Sequence, residues 1–370
     1  MRKQVSLYHL IVATLFVGIL LTCAIFYTVN TAVGGDTLLG ESCYDGSVIE
    51  GESIFSDFRR AVYQSKSAIA DIREYQYRLF RIVSGGDVAA GKEDFLFEVK
   101  DTENNYNFLR DYLGQSTFTE EEMAAILGVL QRRQSMYAER GAEYLLVILP
   151  NAQTVYSENM PAYLGDIRET RLDVLDAYLS QNGFDAYANL TDEMIAYKSQ
   201  ADMPLYNNTE NSLNALGLYY VYRSVCDRFD DEIISSTHVI SRRELNFYQH
   251  LTAGKAVARR AGLSDVVSNR TVSLSNSTKL YYHSTDISGR ASETVLVPFE
   301  SHSVYKTPSL LLQFSDTWER LQAEPFFSNT FSRVTYQTDL ADDAEIYEEA
   351  APRVVIQFLY ENQLSWLLPQ

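Results

Sequence analysis

The hydrophobic pattern sets the first residues of this chain apart from the rest. Residues 5–29 carry no formal charge, and as a helix they would extend about 37 Å, enough to cross a bilayer once. Arg2 and Lys3 precede this run, whereas residues 30–52 contain acidic side chains and no basic ones. The positive-inside rule therefore predicts a single-pass anchor within residues 1–29, with a cytoplasmic N-terminus and an extracytoplasmic body. A cleaved signal peptide is the alternative, although the run is long for one and lacks a good small-x-small cleavage site.

Between the anchor and the body, the pattern predicts a stalk and then a helix. Residues 30–52 are rich in Gly, Ser and acidic side chains, which is typical of a solvated linker. Residues 53–90 show apolar positions at helical spacing from Phe58 to Leu79, with charged residues between them. We expect a juxtamembrane helical lead-in there, followed by one domain over residues 91–370.

The body alternates helical and strand-like patterns, which is typical of a parallel sheet wrapped by helices. A capping box at Thr119 and Glu122 predicts a helix that ends at Gly141, and residues 143–149 predict a buried strand. The other predicted elements are helices over residues 168–181, 190–197 and 212–229, and strands over residues 184–187, 310–314, 333–337 and 354–359. Residues 230–303 interrupt this rhythm with short alternating polar and β-branched runs, so we expect a β-rich insertion there. The predicted fold class is a three-layer α/β/α arrangement around a parallel sheet.

The net charge argues against two classes of partner. The chain has 31 Lys and Arg against 49 Asp and Glu, and the part beyond residue 29 has 29 against 49, a net charge of −20. Such a surface repels phosphate backbones and anionic lipid head groups, so we expect no nucleic-acid partner. The predicted attachment to the membrane is the N-terminal helix alone.

The residue spacings predict no cofactor and no metal site. The five His are scattered and the three Cys do not cluster, so the pattern of a zinc site is missing. Residues 86–93 (GDVAAGKE) nearly match a phosphate-binding loop, but Glu93 stands where a Ser or Thr hydroxyl must bind magnesium, so we interpret the segment as an ordinary loop. Cys226 lies on the apolar face of a predicted helix, which favours a buried thiol over a disulfide with Cys43.

The clearest hint of chemistry is a buried strand that runs into a turn with hydroxyl groups. Residues 308–318 (PSLLLQFSDTW) join a continuous apolar run to Ser315, Asp316 and Thr317. Hydrolytic α/β folds present a nucleophile at such a turn. A plain helix N-cap has the same pattern, so the motif alone leaves both interpretations open.

Four sequence blocks resemble one family in the same order. Residues 91–97 (GKEDFLF) are similar to its GKDGWLF opening, residues 149–161 (LPNAQTVYSENMP) to PPNKxxIYPExLP, residues 206–217 (YNNTENSLNALG) to YYKTDTHWxxxG, and residues 314–318 (FSDTW) to FGDSF. The chain resembles the SGNH-hydrolase-like group that contains the alginate O-acetyltransferases AlgX and AlgJ and the bacterial DHHW proteins. The resemblance spans about residues 90–365, and residues 325–334 and 354–364 extend it downstream.

The resemblance implies an SGNH fold in which a serine takes an acyl group and a histidine, oriented by an aspartate, acts as the base. On the ungapped alignment the serine falls on Thr317, the histidine on Ser212 and the aspartate on Glu210. Ser212 cannot take a proton near neutrality, and the methyl group of Thr317 crowds an attack that serine makes freely. The sequence therefore predicts a degenerate catalytic site.

Two supporting positions and a candidate cleft complete the predicted site. Ser315 replaces the glycine before the family's Asp-Ser pair, and with Asp316 it would form the turn and oxyanion region. The candidate substrate cleft consists of Asn151, Tyr156 and Glu361.

Three functions fit these observations. The first is a catalytically impaired protein that binds an envelope polysaccharide or partners a membrane-bound O-acyltransferase that acetylates it. The second is an active O-acyltransferase or esterase that uses Thr317 with an unconventional base, for which Glu210, His283 and His302 are the candidates. The third is a non-catalytic surface scaffold without a ligand.

Overall fold

The computed structural model describes most of the predicted body. The described residues are 73–83, 86–101, 106–229, 238–278, 281–287, 289, 291–296, 309–314, 317–338 and 344–369. The predicted anchor and stalk, Cys43, His302, Ser315 and Asp316 lie outside them, and Thr317 is described by its backbone only. Within the described ranges, no helix has the length and hydropathy needed to span a membrane.

Eleven strands and ten α-helices lie within the described ranges. The strands are β1 (Val88–Ala90), β2 (Leu96–Glu98), β3 (Glu143–Leu149), β4 (Tyr187–Asn189), β5 (Phe247–Thr252), β6 (Asn269–Leu274), β7 (Tyr282–Ile287), β8 (Ala291–Leu296), β9 (Ser309–Gln313), β10 (Arg333–Gln337) and β11 (Val354–Tyr360). The helices are α1 (residues 73–80), α2 (Phe108–Tyr112), α3 (Glu120–Glu139), α4 (Ala152–Val155), α5 (Arg171–Gln181), α6 (Thr191–Gln200), α7 (Ala215–Cys226), α8 (Ala256–Arg260), α9 (Thr317–Ser328) and α10 (Ala344–Ala350).

Seven strands form the central sheet in the order β4-β3-β11-β9-β10-β8-β7. The first five are mutually parallel, while β8 pairs antiparallel with β10 and β7 pairs antiparallel with β8. Outside this sheet, β1 pairs with β2 and β5 pairs with β6, each in antiparallel fashion. The predicted α/β class with a mostly parallel central sheet is confirmed.

Helices cover both faces of the sheet because its strands are apolar on both sides. In β3, Val147 and Leu149 belong to one hydrophobic cluster, whereas Leu146 and Ile148 belong to the other. Side chains of α7 and α9 fill the first cluster, and side chains of α3, α5 and α10 fill the second. Strands that are buried on both faces must be nearly continuous apolar runs, which is what residues 143–149 and 354–360 show.

The structure differs from the sequence prediction at three places. The strand predicted at residues 184–187 lies at Tyr187–Asn189, because Phe184 N still donates to Leu179 O and closes α5. Residues 88–90, within the segment predicted as a loop, form β1, and the turn at Gly91 leads into β2 rather than into a helix as a phosphate-binding loop would. Of the strands within residues 230–303, β7 and β8 extend the central sheet, while β5 and β6 form a separate pair.

Cys226 is the last residue of α7 and is 2% exposed, with a free thiol. Burial raises the pKa of this thiol to about 12, so it stays protonated and unreactive at neutral pH. The expectation of a buried thiol at this position is therefore confirmed.

Two helical glycines should respond in opposite ways to substitution by alanine. A Cβ on Gly217 in α7 would overlap the carbonyl oxygen of Leu205 and lie 2.7 Å from Leu213 Cδ2, whereas a Cβ on Gly128 in α3 would have no atom within 4 Å. We expect Gly217→Ala to lower the free energy of unfolding by about 1–3 kcal/mol and Gly128→Ala to raise it by about 1 kcal/mol. Denaturant unfolding measures both values. If both variants gained stability, α7 would not approach the 205–213 loop as closely as described.

Candidate functional site

The two halves of the aligned site both lie at the carboxyl edge of the parallel strands. The helices α7 and α9 both pack on the first face of the sheet and touch each other, with the rings of Tyr219 and Phe326 5.6 Å apart and those of Tyr222 and Phe327 5.2 Å apart. Since α9 begins at Thr317 directly after β9, Thr317 lies at this edge. Ser212 precedes α7 by three residues, so both aligned positions stand at the beginnings of neighbouring helices.

The loop that carries Ser212 is fixed to the same edge by hydrogen bonds. Tyr206 OH donates to Pro150 O over 2.6 Å, directly after β3, and Leu213 N donates to Tyr360 OH over 3.2 Å, at the end of β11. Asn214 then begins α7, because its Oδ1 accepts from Leu216 N and Gly217 N at 3.0 and 3.1 Å. The loop is therefore held at the ends of β3 and β11, and β11 is the neighbour of β9 in the sheet.

Three polar side chains of this loop are structural. Asn208 Nδ2 donates to Asp94 O, and Asn208 Oδ1 accepts from Arg270 N. Thr209 Oγ1 donates to Asn269 Oδ1 over 2.8 Å, and Asn211 bridges Leu96 O and Glu98 N. Asn211 adopts a φ of 61°, which asparagine tolerates better than most residues. These contacts tie the loop to β2 and β6, so its shape does not depend on a catalytic triad.

Ser212 is hydrogen-bonded to Asn207, which the sequence comparison did not single out. Asn207 N donates to Ser212 O over 2.9 Å, and Asn207 Nδ2 donates to Ser212 Oγ over 3.0 Å. Asn207 is 1% exposed, and its Oδ1 has no hydrogen-bond partner within the described part of the chain. Whichever way the amide is turned, one end meets Ser212 and the other end is a buried polar atom without a described partner.

The contacts of the described histidines do not involve Ser212. None of His238, His250 and His283 is hydrogen-bonded to Ser212, and His238 meets Glu244 at 2.5 Å. His283 of β7 pairs with Val295 of β8, Val295 pairs with Arg333 of β10, and Arg333 pairs with Ser309, the first residue of β9. It therefore lies at the opposite edge of the sheet and three strands away, on the order of 20 Å from the beginning of α9. His283 is wrong as a candidate base for Thr317.

The three residues predicted to line a cleft are buried. Tyr156, Asn151 and Glu361 are 7%, 6% and 1% exposed. Tyr156 OH accepts from Leu205 N, which supports the start of the 205–213 loop. Asn151 N and Thr154 Oγ1 both donate to Glu361 Oε2, at 2.9 and 2.7 Å, so Glu361 joins the end of β11 to α4. In this structure the three residues therefore support the edge of the sheet instead of facing an open cleft.

Glu361 belongs to a buried polar cluster at the carboxyl edge. Asn151 Nδ2 lies 3.5 Å from Tyr106 OH, Tyr106 OH donates to Asp111 Oδ2, and Arg171 N donates to Asp111 Oδ1 over 2.8 Å. The guanidinium of Arg171 lies 4.5 Å from the ring centroid of Tyr106, with Nε 3.8 Å from Asp111 Oδ1. Burial and the neighbouring Asp111 raise the pKa of Glu361 to about 7, against the opposing effect of its two hydrogen bonds.

The pKa values of Asp111 and Tyr106 are raised as well. Burial raises the pKa of Asp111 above its ordinary value, against the lowering effects of Tyr106 and Arg171. Burial, with the charges of Glu361 and Asp111, raises the pKa of Tyr106 well above 10. These groups therefore hold their protons more tightly than the same groups would in water. No set of three or more His, Cys, Asp and Glu in the described ranges is placed to hold a metal ion.

Sequence reasoning did not find Asn207, Tyr106, Asp111 or Arg171. Asn207 lies inside the aligned block, and its spacing of five residues from Ser212 was the available signal. Asp111 and Arg171 are 60 residues apart in the chain and meet because α2 and α5 converge. No local sequence pattern could therefore predict their contact.

Comparison with known proteins agrees with this architecture. No protein-family model matches the chain, and no curated protein sequence matches it. Among solved structures, the chain is similar to the O-acetyltransferase domain of Pseudomonas putida AlgJ, with 13% identity and a TM-score of 0.47 over 75% of this chain and 91% of that one. It is also similar to Bacillus cereus PatB1, with 11% identity and a TM-score of 0.50 over 75% and 96%, and to a DHHW family protein from Eubacterium siraeum, with 11% identity and a TM-score of 0.46 over 76% and 95%.

AlgJ and the DHHW protein come from the groups that the sequence resemblance named. At 11–13% identity these likenesses concern the fold and carry no statement about the activity of this chain.

Proposed function

We propose that this chain is a membrane-anchored, extracytoplasmic SGNH-like protein that takes part in O-acetylation of a cell-envelope polysaccharide by binding the glycan or a partner, not by catalysis. The observation that carries the proposal is the pairing of Ser212 with Asn207 at the edge where the family has its imidazole. Neither a hydroxyl nor an amide accepts a proton near neutral pH. This pair therefore supplies no general base that could activate the hydroxyl of Thr317.

The Ser212–Asn207 pair suits a sugar better than it suits an acyl transfer. A serine hydroxyl and a buried amide offer one donor and one acceptor close together, which is the complement of neighbouring hydroxyls on a pyranose ring. The buried amide atom without a described partner gains most from such a ligand, because an unsatisfied buried polar group is costly.

Glu361 is the strongest group in favour of the alternative, an active enzyme. A carboxylate with a pKa of about 7 is well matched to general base catalysis at neutral pH. However, its Oε2 accepts from Asn151 and Thr154, on the β3 side of β11, whereas Thr317 follows β9 on the other side of β11. The contacts of Glu361 therefore favour a supporting role.

The proposal is tested by two measurements on the full chain. In a 4-nitrophenyl acetate assay, we expect the natural chain and Thr317→Ala to be indistinguishable. In binding assays against envelope polysaccharides and their acetylated forms, we expect Asn207→Ala to weaken binding about tenfold, equivalent to one lost buried hydrogen bond of about 1.4 kcal/mol. The control Asn182→Ala changes an exposed asparagine at the end of α5 and should bind normally.

Turnover that disappears in Thr317→Ala would establish the enzymatic alternative. Absence of binding to every glycan and of any partner in crosslinking to the neighbouring envelope proteins would leave the scaffold hypothesis standing instead.

A further inference from the structure

Two separate stretches of the chain pack into one body, which we call the basic module: residues 73–83 and 238–278. Tyr77 of α1 is 3% exposed and shares a hydrophobic cluster with Val257, Ala258 and Leu263, in and after α8. Tyr77 OH and Arg81 Nη1 also meet Asp94 Oδ1 at 3.1 and 2.6 Å. One side of α1 is therefore firmly attached to the domain.

The other side of α1 is apolar and uncovered. Tyr75, Leu79, Phe80 and Ile82 are 64%, 70%, 68% and 55% exposed. Tyr75 and Leu79 are four residues apart in α1 and so share one face of the helix, while Ile82 lies just beyond the end of the helix. With Tyr248 and Leu251 of β5, the basic module supplies six of the eleven large apolar side chains that are exposed in the described ranges. On α1 and just after it, four large apolar side chains are exposed within eight residues, and such a concentration marks an interaction surface, since single exposed apolar residues are ordinary but clusters are not.

The basic module also reverses the charge of the protein. It contains nine Lys and Arg against three Asp and Glu, while the whole chain contains 31 against 49. Three carboxylates outside the module, Asp94, Glu98 and Asp202, pair with its arginines, and even with these included the balance is nine against six. The argument from net charge against anionic surfaces therefore fails for this part of the molecule.

The sequence position of the basic module bears on which surface it meets. Its helix α1 is the described element nearest in sequence to the predicted anchor, which ends at residue 29. Basic side chains beside exposed Leu, Ile, Phe and Tyr match a bilayer with anionic lipids, whose head groups attract the bases and whose acyl boundary accepts the apolar side chains. An anionic polysaccharide offers the charge but no apolar phase for Leu79 and Ile82.

We propose that the basic module rests on the surface of a bilayer that contains anionic lipids, with Tyr75, Leu79, Phe80 and Ile82 at the boundary between head groups and acyl chains. This contact is additional to the predicted anchor and does not depend on the proposed binding of a glycan or a partner. It holds the domain at the membrane in one orientation.

The test uses the full chain with a single environment-sensitive fluorophore. Leu79→Cys carries the label, Cys23 and Cys43 are replaced by serine, and the buried Cys226 is left in place. A matched control carries the label at Tyr163→Cys, which is 78% exposed outside the module. The chain is combined with vesicles of phosphatidylcholine alone or mixed with phosphatidylglycerol, each containing a spin-labelled lipid as quencher. Because the anchor is the same in both vesicles, the difference between them reports on the module.

We expect the label at position 79 to be quenched in the anionic vesicles, and the label at position 163 in neither. Reversing one charge by Arg259→Glu should lower the equilibrium constant for quenching about tenfold, whereas Arg168→Glu outside the module should not. Equal quenching at positions 79 and 163 in every vesicle would overturn the proposal. The proposal would also fail if the label at position 79 were shielded from water without vesicles, because protein would then cover it. It would fail too if soluble polygalacturonate shielded this label as much as anionic vesicles do, because the surface would then fit a polysaccharide.

Discussion

A histidine at position 212 together with a serine at position 317 should convert this chain into an esterase. In the double variant Ser212→His/Thr317→Ser, the loop fixed to Pro150 and Tyr360 would present an imidazole at the edge where α9 begins. Loss of the base or the nucleophile in a serine triad costs on the order of 10⁶ in turnover. We expect a restored but imperfectly oriented pair to recover about 10²–10³-fold over the natural chain, measured with 4-nitrophenyl acetate.

The single variants should show almost none of this gain, because nucleophile and base act as a unit. Thr317→Ser alone provides a better hydroxyl without a base, and Ser212→His alone provides a base beside a crowded hydroxyl. The matched control is Ser212→His/Thr317→Ala, which keeps the imidazole and removes the hydroxyl. If Thr317→Ser alone matched the double variant, a base would already be present and the impaired-site hypothesis would be wrong.

The pH profile distinguishes true catalysis from a change in folding. Activity of the double variant should rise as pH passes about 6.5, where an imidazole loses its proton. If the histidine prevents folding, Ser212→Gly/Thr317→Ser with free imidazole in solution tests the same chemistry. Saturable rescue by imidazole would support the site assignment, and no rescue in a folded protein would place position 317 out of reach of position 212.

The long apolar elements of the fold could be predicted from the sequence because their signals are local. Residues 143–149 and 333–337 have the predicted strand bounds, and the capping box at Thr119 and Glu122 places the start of α3 correctly. The error at residues 184–187 arose where Phe184 is apolar enough for a strand but its backbone closes a helix. Local patterns report burial, and they do not report which hydrogen bond a backbone amide makes.

The pairing of the strands within residues 230–303 could not be predicted, because alternation of polar and apolar positions fits a separate hairpin and an edge of the main sheet equally well. The deciding contacts are non-local: β8 pairs with β10, whose residues lie about 40 positions later in the chain. The candidate site shows the same division. The alignment finds Ser212, but only the fold shows that Asn207 is its partner.

The stability of the protein should fall as pH rises from about 4.5 to about 7, and Glu361→Gln should remove much of that slope. The pKa of Glu361 is raised from its ordinary value of 4.5 to about 7, mainly by burial, with Asp111 and Asp173 adding to the rise. In this window the unfolded chain releases the proton that the folded chain keeps. Ionisation therefore lowers the free energy of the unfolded state and not that of the folded state. Over about 2.5 pH units this amounts to about 3 kcal/mol.

Glutamine keeps the carbonyl oxygen that accepts from Asn151 and Thr154 but has no proton to lose. Glu361→Gln should therefore equal the natural chain near pH 4.5 and exceed it by up to about 3 kcal/mol at pH 8. The measurement is the free energy of unfolding by urea at several pH values, and the decisive quantity is the difference in slope, because imperfect packing of glutamine shifts both ends equally.

Two comparisons make this prediction specific to the buried cluster. Glu169→Gln, at an exposed glutamate, should leave the pH profile of the natural chain unchanged. Asp111→Asn should also flatten the profile, because burial raises the pKa of Asp111 as well, and it should lower the pKa of Glu361 by removing a neighbouring carboxylate. Parallel profiles for the natural chain and Glu361→Gln would mean that Glu361 is ionised in the folded protein. In that case Glu361 would carry a buried negative charge beside Asn151, and the assignment of Glu361 as a protonated, supporting residue would be wrong.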